Sequence, residues 1–219
     1  MPRLIVLAIA AALAFPAFAQ EAAPHMLPFA STGHALELEV AHTATDEEDA
    51  AAPTAVTVRL TDAPAWLAVT PAAVTLDALT PGSDALARFA FDVTEDAPVG
   101  EPGAMTFALA TPDGQTWTKT VRVEVAAPEA FAVAGAYPNP FAHAAEVVYD
   151  LPAGATVTFA VYDLLGRVVH EVRTEQAAGR HTAAVDGAGL ASGVYVWRLV
   201  AVGADGQRHT EAGRLTRAR

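Results

Sequence analysis

The chain has 219 residues, 53% of them apolar, with no cysteine and a formal net charge of −12. So acidic a chain repels a phosphate backbone, which argues against nucleic acid as a partner. The absence of cysteine excludes disulfides and thiol nucleophiles. The 15 Gly and 15 Pro are scattered without period, as in an all-β chain with many turns rather than a collagenous or disordered one. Charge is uneven: residues 1–127 carry 5 basic and 16 acidic side chains, a balance of −11, and residues 128–219 carry 8 and 9, a balance of −1. The acidic front half reads as a solvated surface.

Taken in chain order, the first element is an address. Arg3 precedes an apolar run from Leu4 to Phe15, and Ala17-Phe18-Ala19 forms a small-x-small cleavage site before Gln20. This is the pattern of a secretory signal peptide over residues 1–19, and the run is too short for a permanent membrane helix. Residues 20–33 show no period and read as a short lead-in. A first domain follows over 34–126. Leu36, Leu38 and Val40 alternate with polar or small neighbours, as do Val56, Val58 and Leu60. The same alternation recurs at Phe89, Phe91 and Val93, at Met105, Phe107 and Leu109, and at Val121, Val123 and Val125. Short strands at this spacing predict a β-sandwich. Thr45 to Pro53 reads as an exposed acidic loop. Its Asp46-Glu47-Glu48-Asp49 run lacks the alternating oxygens and turn glycine of a calcium loop.

Within this domain, Pro64-Ala65-Trp66-Leu67-Ala68-Val69-Thr70-Pro71, Leu79-Thr80-Pro81-Gly82 and Ala97-Pro98-Val99-Gly100 resemble the extracellular immunoglobulin-like modules of bacterial surface proteins and glycosidases. That resemblance implies a fold and no activity.

Residues 127–136 begin with Ala/Pro-rich sequence and read as a linker, and a second domain spans 137–219. Its strands are announced by Val147, Tyr149 and Leu151, by Val157, Phe159 and Val161, and by the runs Val168–Val172 and Val194–Val200. Turn signals at Leu165-Gly166, Asp186-Gly187, Ser192-Gly193 and Asp205-Gly206 separate them. The expected fold is therefore all-β: two consecutive immunoglobulin-like β-sandwiches after a cleaved signal peptide.

Catalytic chemistry finds little to work with. The serines are Ser31, Ser83 and Ser192, none in a nucleophile elbow. Gly187-Ala188-Gly189 with Gly193 is spaced one residue too long for a dinucleotide loop and precedes a strand. The seven His residues are dispersed, without the i, i+4 pairing of a zinc helix. The chain is expected to be non-enzymatic, with no cofactor and no metal. Trp66, Trp117 and Trp197 could in principle stack on a sugar ring, but Trp66 sits between Pro64 and Leu67 in a context that suggests a core plug, and the alternation of Trp117 and Trp197 with apolar neighbours points both inward. A polysaccharide ligand is thus without support.

The most distinctive pentapeptide is Tyr137-Pro138-Asn139-Pro140-Phe141. Its prolines remove two backbone donors and favour an extended conformation in the residues before them. A stiff, extended segment is expected, with Tyr137 and Phe141 as core anchors. It is followed by Val148-Tyr149-Asp150-Leu151-Pro152, Val161-Tyr162-Asp163-Leu164-Leu165-Gly166-Arg167, Gly179-Arg180-His181, Leu190-Ala191-Ser192-Gly193-Val194-Tyr195 and the final Gly213-Arg214-Leu215-Thr216-Arg217. In order and spacing these motifs resemble the type A C-terminal sorting domain of type IX secretion (Por secretion system) cargo in Bacteroidetes-type bacteria. The resemblance implies that Tyr137, Pro138, Asn139, Pro140, Phe141, Tyr162, Asp163, Gly166, Arg167, Gly193, Tyr195, Arg214 and Arg217 carry the sorting signal. It implies the outer-membrane type IX translocon and a surface sortase as partners, a cut near Ala126–Ala136, covalent attachment to lipopolysaccharide, and a secreted or cell-surface location. Two other readings compete: a carbohydrate-binding or adhesive surface module, and the truncated tail of a larger exported enzyme.

Overall fold

The structure is a computed structural model that describes residues 3–10, 23–41, 54–80 and 83–218. The Asp46–Asp49 run, Ala17–Ala19 and the Pro81-Gly82 turn lie outside the described residues. The chain divides into two compact units, Met1–Ala126 and Ala127–Arg219. The described residues form β-strands joined by turns and loops, without helices.

In the first unit, strands β1 (Arg3–Ala10), β3 (His34–Ala41), β7 (Asp84–Val93) and β5 (Leu67–Thr70) form one sheet in the order β1-β3-β7-β5. Strands β2 (His25–Leu27), β9 (Thr116–Val125), β8 (Pro102–Ala110), β4 (Thr54–Asp62) and β6 (Ala73–Leu79) form the other, in the order β2-β9-β8-β4-β6. The alternating residues named above face inward. Leu36, Leu38, Phe89, Phe91, Met105, Phe107, Val121 and Val123 are all buried in one core. Among them Phe89 and Phe107 meet at 4.9 Å in a tilted pair, a favoured aromatic geometry. Glu37 is also buried; it stands opposite Arg88 across β3 and β7 and accepts its Nε–H at 3.1 Å.

The second unit stacks a sheet β10-β11-β14 on a sheet β13-β12-β15-β16. The strands are β10 (Ala132–Tyr137), β11 (Ala144–Leu151), β12 (Ala155–Tyr162), β13 (Val168–Gln176), β14 (Gly179–Asp186), β15 (Gly193–Gly203) and β16 (Arg208–Arg217). Val147, Tyr149, Leu151, Val157, Phe159, Val161, Val185, Trp197, Leu199 and Leu215 fill the space between the sheets. The chain is thus all-β with sandwich architecture.

Two places depart from expectation. The lead-in 20–33 contains β2, which runs parallel to β9 and buries Leu27. A three-residue strand with one inward side chain leaves no period to detect. The linker 127–136 contains most of β10, which pairs with β11 along Ala132–Tyr137. Its Ala and Gly residues carry little strand preference of their own, and the pairing holds them. Within the stretch read as a signal peptide, Arg3–Ala10 pairs in parallel with β3 as β1, which does not decide whether that stretch is removed. A run of aliphatic residues suits a strand as well as a leader.

Candidate functional site

The second unit gathers the sorting-motif residues at one end of its sandwich. That end is made by the close of β10, β12 and β16, the start of β13 and β15, and the bend at Pro138–Pro140. Residues far apart in sequence are neighbours there because antiparallel pairing brings the end of one strand beside the start of the next.

The bend is the first part of the site. Pro138–Pro140 turn the chain, and the Tyr137-Pro138 and Asn139-Pro140 peptides are cis. The segment is therefore bent where the prolines predicted an extended one. Asn139 uses its side-chain amide as a peptide group would. Its Nδ2 donates to the Arg214 carbonyl at 2.8 Å, and its Oδ1 accepts the Thr216 N–H at 3.0 Å. Phe141 continues the rung: its N–H donates to Thr216 O at 2.9 Å, and the Ala218 N–H donates to Phe141 O at 2.8 Å. A parallel bridge joins Phe141 to Arg217. The side chain of Phe141 is 1% exposed in the core. The edge of the last strand is thereby capped by the first motif of the unit, which satisfies backbone groups that would otherwise be open for pairing.

Tyr137 does not anchor the core: it is 67% exposed. The register of β10 against β11 slips between Val133 and Gly135, which turns Ala136 toward the core and Tyr137 outward, its ring against Gly135, where a β-carbon would lie 3.1 Å from Tyr137 Cε2. The glycine accommodates a surface ring rather than a core plug.

The final strand holds by fit as much as by sequence. Its one large apolar side chain, Leu215, is fully buried opposite Tyr195. Beside it Trp197 lies over Gly213, where a β-carbon would come within 2.6 Å of the indole. The Tyr195 hydroxyl donates to Ala191 O at 2.8 Å, tying the entry of β15 to the preceding turn as a tyrosine corner does. Gly193 stands opposite Arg217, and a β-carbon there would touch nothing; nothing in the structure explains a glycine at that position. Arg217 Nε–H donates to Gly187 O at 3.4 Å.

The second part is the β12–β13 turn. Asp163 Oδ1 accepts the N–H groups of Leu165 and Arg167 at 2.9 and 3.0 Å, and Oδ2 accepts Arg167 Nε–H at 2.7 Å. The main chain closes the same loop, with Asp163 N–H to Arg167 O and Gly166 N–H to Asp163 O, both at 3.0 Å. Gly166 sits at φ +78°, a left-handed conformation that glycine adopts without steric cost. The Arg167 N–H, followed by the Arg167 guanidinium and the Leu165 N–H, holds the Asp163 carboxyl below its ordinary range. Tyr162 faces outward, accepts a hydrogen bond from Arg198 at 2.8 Å and carries its guanidinium over the ring at 5.4 Å.

Two contacts that the motif residues did not single out lie at the far end of the sandwich. Arg180 binds Asp150 in a two-pronged pair, Nε to Oδ1 at 2.7 Å and Nη2 to Oδ2 at 2.9 Å, across facing positions of β11 and β14. Tyr149 donates its hydroxyl to Gln176 Oε1 at 2.5 Å, and burial raises its pKa. Both acid and base were visible in the motifs Val148–Pro152 and Gly179–His181, but only the strand register pairs them.

The tryptophans lie in or against the cores. Trp197 is buried, and Trp66 and Trp117 pack partly buried on the first unit's core. Among the described residues, no group of three His, Asp or Glu side chains could hold a metal ion.

Residues 135–209 match the family model of the secretion system C-terminal sorting domain. The match begins in β10 and ends in β16, before Arg214 and Arg217. No curated protein matches the chain. Among solved structures the chain is similar to dimeric latent PorU from Porphyromonas gingivalis, at 12% identity and TM-score 0.35, covering 91% of this chain and 19% of that one. It is similar to the CupB2 chaperone of Pseudomonas aeruginosa at 15% identity and TM-score 0.29, covering 88% and 97%. A tetra-tandem repeat from the extending region of a large adhesion protein matches at 15% identity and TM-score 0.30, covering 84% and 50%. None of these structural likenesses carries an argument about function.

Proposed function

We propose, from the premise that residues 135–209 of this chain are a secretion system C-terminal sorting domain, that the second unit is the delivery signal and the first unit its cargo. Export through a type IX system takes the protein to a secreted or cell-surface location. The finer steps are part of the same reading. The outer-membrane translocon recognises the folded second unit, and a surface sortase cuts between Ala126 and Ala136. The cargo is then joined covalently to lipopolysaccharide, and the protein performs no catalysis.

One observation carries the reading. Asn139 and Phe141 bind the backbone of Arg214–Ala218, so the first and last sorting motifs are a single structure. A signal built this way is a shape, complete only when the unit is folded. Preorganisation of that kind reduces the ordering cost when a partner docks. The first unit supports the role of passive cargo, since its tryptophans pack against its own core rather than forming a stacking platform.

The test is export of the full chain from a host with a type IX system and from the same host without its translocon. The expected result is surface or medium protein in the first host and periplasmic retention in the second. Mass spectrometry of the exported form should place its C-terminus between 126 and 136. Equal export from both hosts would remove the sorting role.

A further inference from the structure

The β12–β13 turn presents two leucines to solvent: Leu164 is 76% exposed and Leu165 81%. Large aliphatic residues at a loop tip lose the free energy of burial, and a turn has no structural need of them. The structural work of this turn is done by Asp163, Gly166 and Arg167, none of which uses the leucine side chains. The tip is also held stiff, because one carboxylate accepts three hydrogen bonds within it.

The apolar surface continues from the tip onto the sheet. Val168, Tyr162, Val196 and Arg214 form one row of facing positions across β13, β12, β15 and β16. Val168 and Val196 are exposed in that row. The patch therefore runs from Leu164 and Leu165 through Val168 to Val196. Its positive border is formed by Arg198, stacked on Tyr162, and Arg214 at the end of the row, while Arg167 at the turn is paired with Asp163. Asp163 is committed to the turn, and Glu171 stands one step along β13, across Ala160 from Arg198.

We infer that Leu164 and Leu165 form a preorganised knob that enters an apolar pocket with an acidic rim on a protein of the export machinery. A rigid pair of apolar side chains bordered by arginines has the anatomy of an interface hot spot, and the positive charge of Arg198 and Arg214 is complemented by carboxylates opposite them. The lipid alternative is weaker, since a stiff two-residue tip buries little area in a headgroup layer and stable anchoring needs more. The inference rests on the sorting role and names the surface through which it acts.

The experiment compares the full chain with L164S/L165S, with R214E and with L86S, a substitution at an exposed leucine of the first unit, in a type IX host with and without its translocon. All four should melt at the same temperature, because the altered side chains are exposed. Translocon-dependent export of the wild type and of L86S, with L164S/L165S reduced at least about tenfold and R214E reduced several-fold, supports the knob. Export of L164S/L165S at the wild-type level overturns the knob and leaves the sorting role standing. Export of the wild type that ignores the translocon overturns the sorting role, and the knob with it. Purified wild type that binds phosphatidylglycerol vesicles and loses that binding in L164S/L165S assigns the tip to lipid and overturns the protein pocket.

Discussion

The two units are sandwiches held in different ways. The first is specified by pattern: aliphatic and aromatic residues alternate along β3, β7, β8 and β9, and many substitutes of similar volume would serve. Several of its side-chain hydrogen bonds are short-range turn contacts, such as Ser31 to Pro28 O and Ser83 to Thr80 O. The second unit is specified by individuals. Asn139, Tyr149, Asp163, Arg180 and Tyr195 each occupy a place whose hydrogen bonds only that residue type could make. A domain that has only to be carried can drift within its pattern. On the reading proposed above, the second unit is the one that must be recognised, and its outline depends on those individual contacts.

The largest test of this contrast is a matched pair of core truncations. Phe141→Ala and Phe107→Ala should each destabilise their unit by about 3–5 kcal/mol, read by chemical denaturation. Only Phe141→Ala should also release a backbone edge, seen as faster hydrogen exchange at Thr216 and Ala218. If the two variants behave alike in exchange, the bend does not hold the last strand. A smaller effect separates two surface polar residues. Asn139→Ala should cost about 1–2 kcal/mol, since it strands the Arg214 carbonyl and the Thr216 N–H. Thr57→Val in the first unit, where the hydroxyl meets only Thr75, should stay within about 0.5 kcal/mol of wild type. Equal effects at the two positions would erase the distinction drawn above.

The smallest effect is local to the turn. The folded state lowers the Asp163 pKa below 3.8. The carboxylate's contribution is therefore complete above that ordinary value and is lost as pH falls through the lowered one. Amide chemical shifts of Leu165 and Arg167 should hold steady down to about pH 4 and move only below it. Movement at higher pH would contradict the hydrogen bonds assigned to the carboxylate.

How far these features were legible in the sequence follows the same division. Alternation fixes the inward residues of β3, β8, β9, β11 and β12, because burial of one face imposes period two. It fails for β2, β10 and the first half of β16, whose residues are short, small or polar and are held by pairing with a neighbour. Leu165-Gly166 announced its turn, since a left-handed residue has a sequence signature. The partner of Asn139 had none: the contact spans 75 residues, and it forms because Phe141 bridges the end of β16 beside Arg217. Tyr137 was misplaced for a related reason. Aromatic character suggests burial, and simple alternation from Val133 would agree, but the register slip before Gly135 turns the side chain outward.

The bond from Asn139 to the backbone of β16 has a consequence for synthesis. A chain leaving the ribosome completes the first unit, and then nearly the whole second unit, before the residues that satisfy Asn139 exist. Any product that stops short of Arg214 lacks the partner of its own first motif and exposes the edge of β15. On the proposed reading, a product cut before Arg214 therefore carries a sorting unit whose bend is unsatisfied.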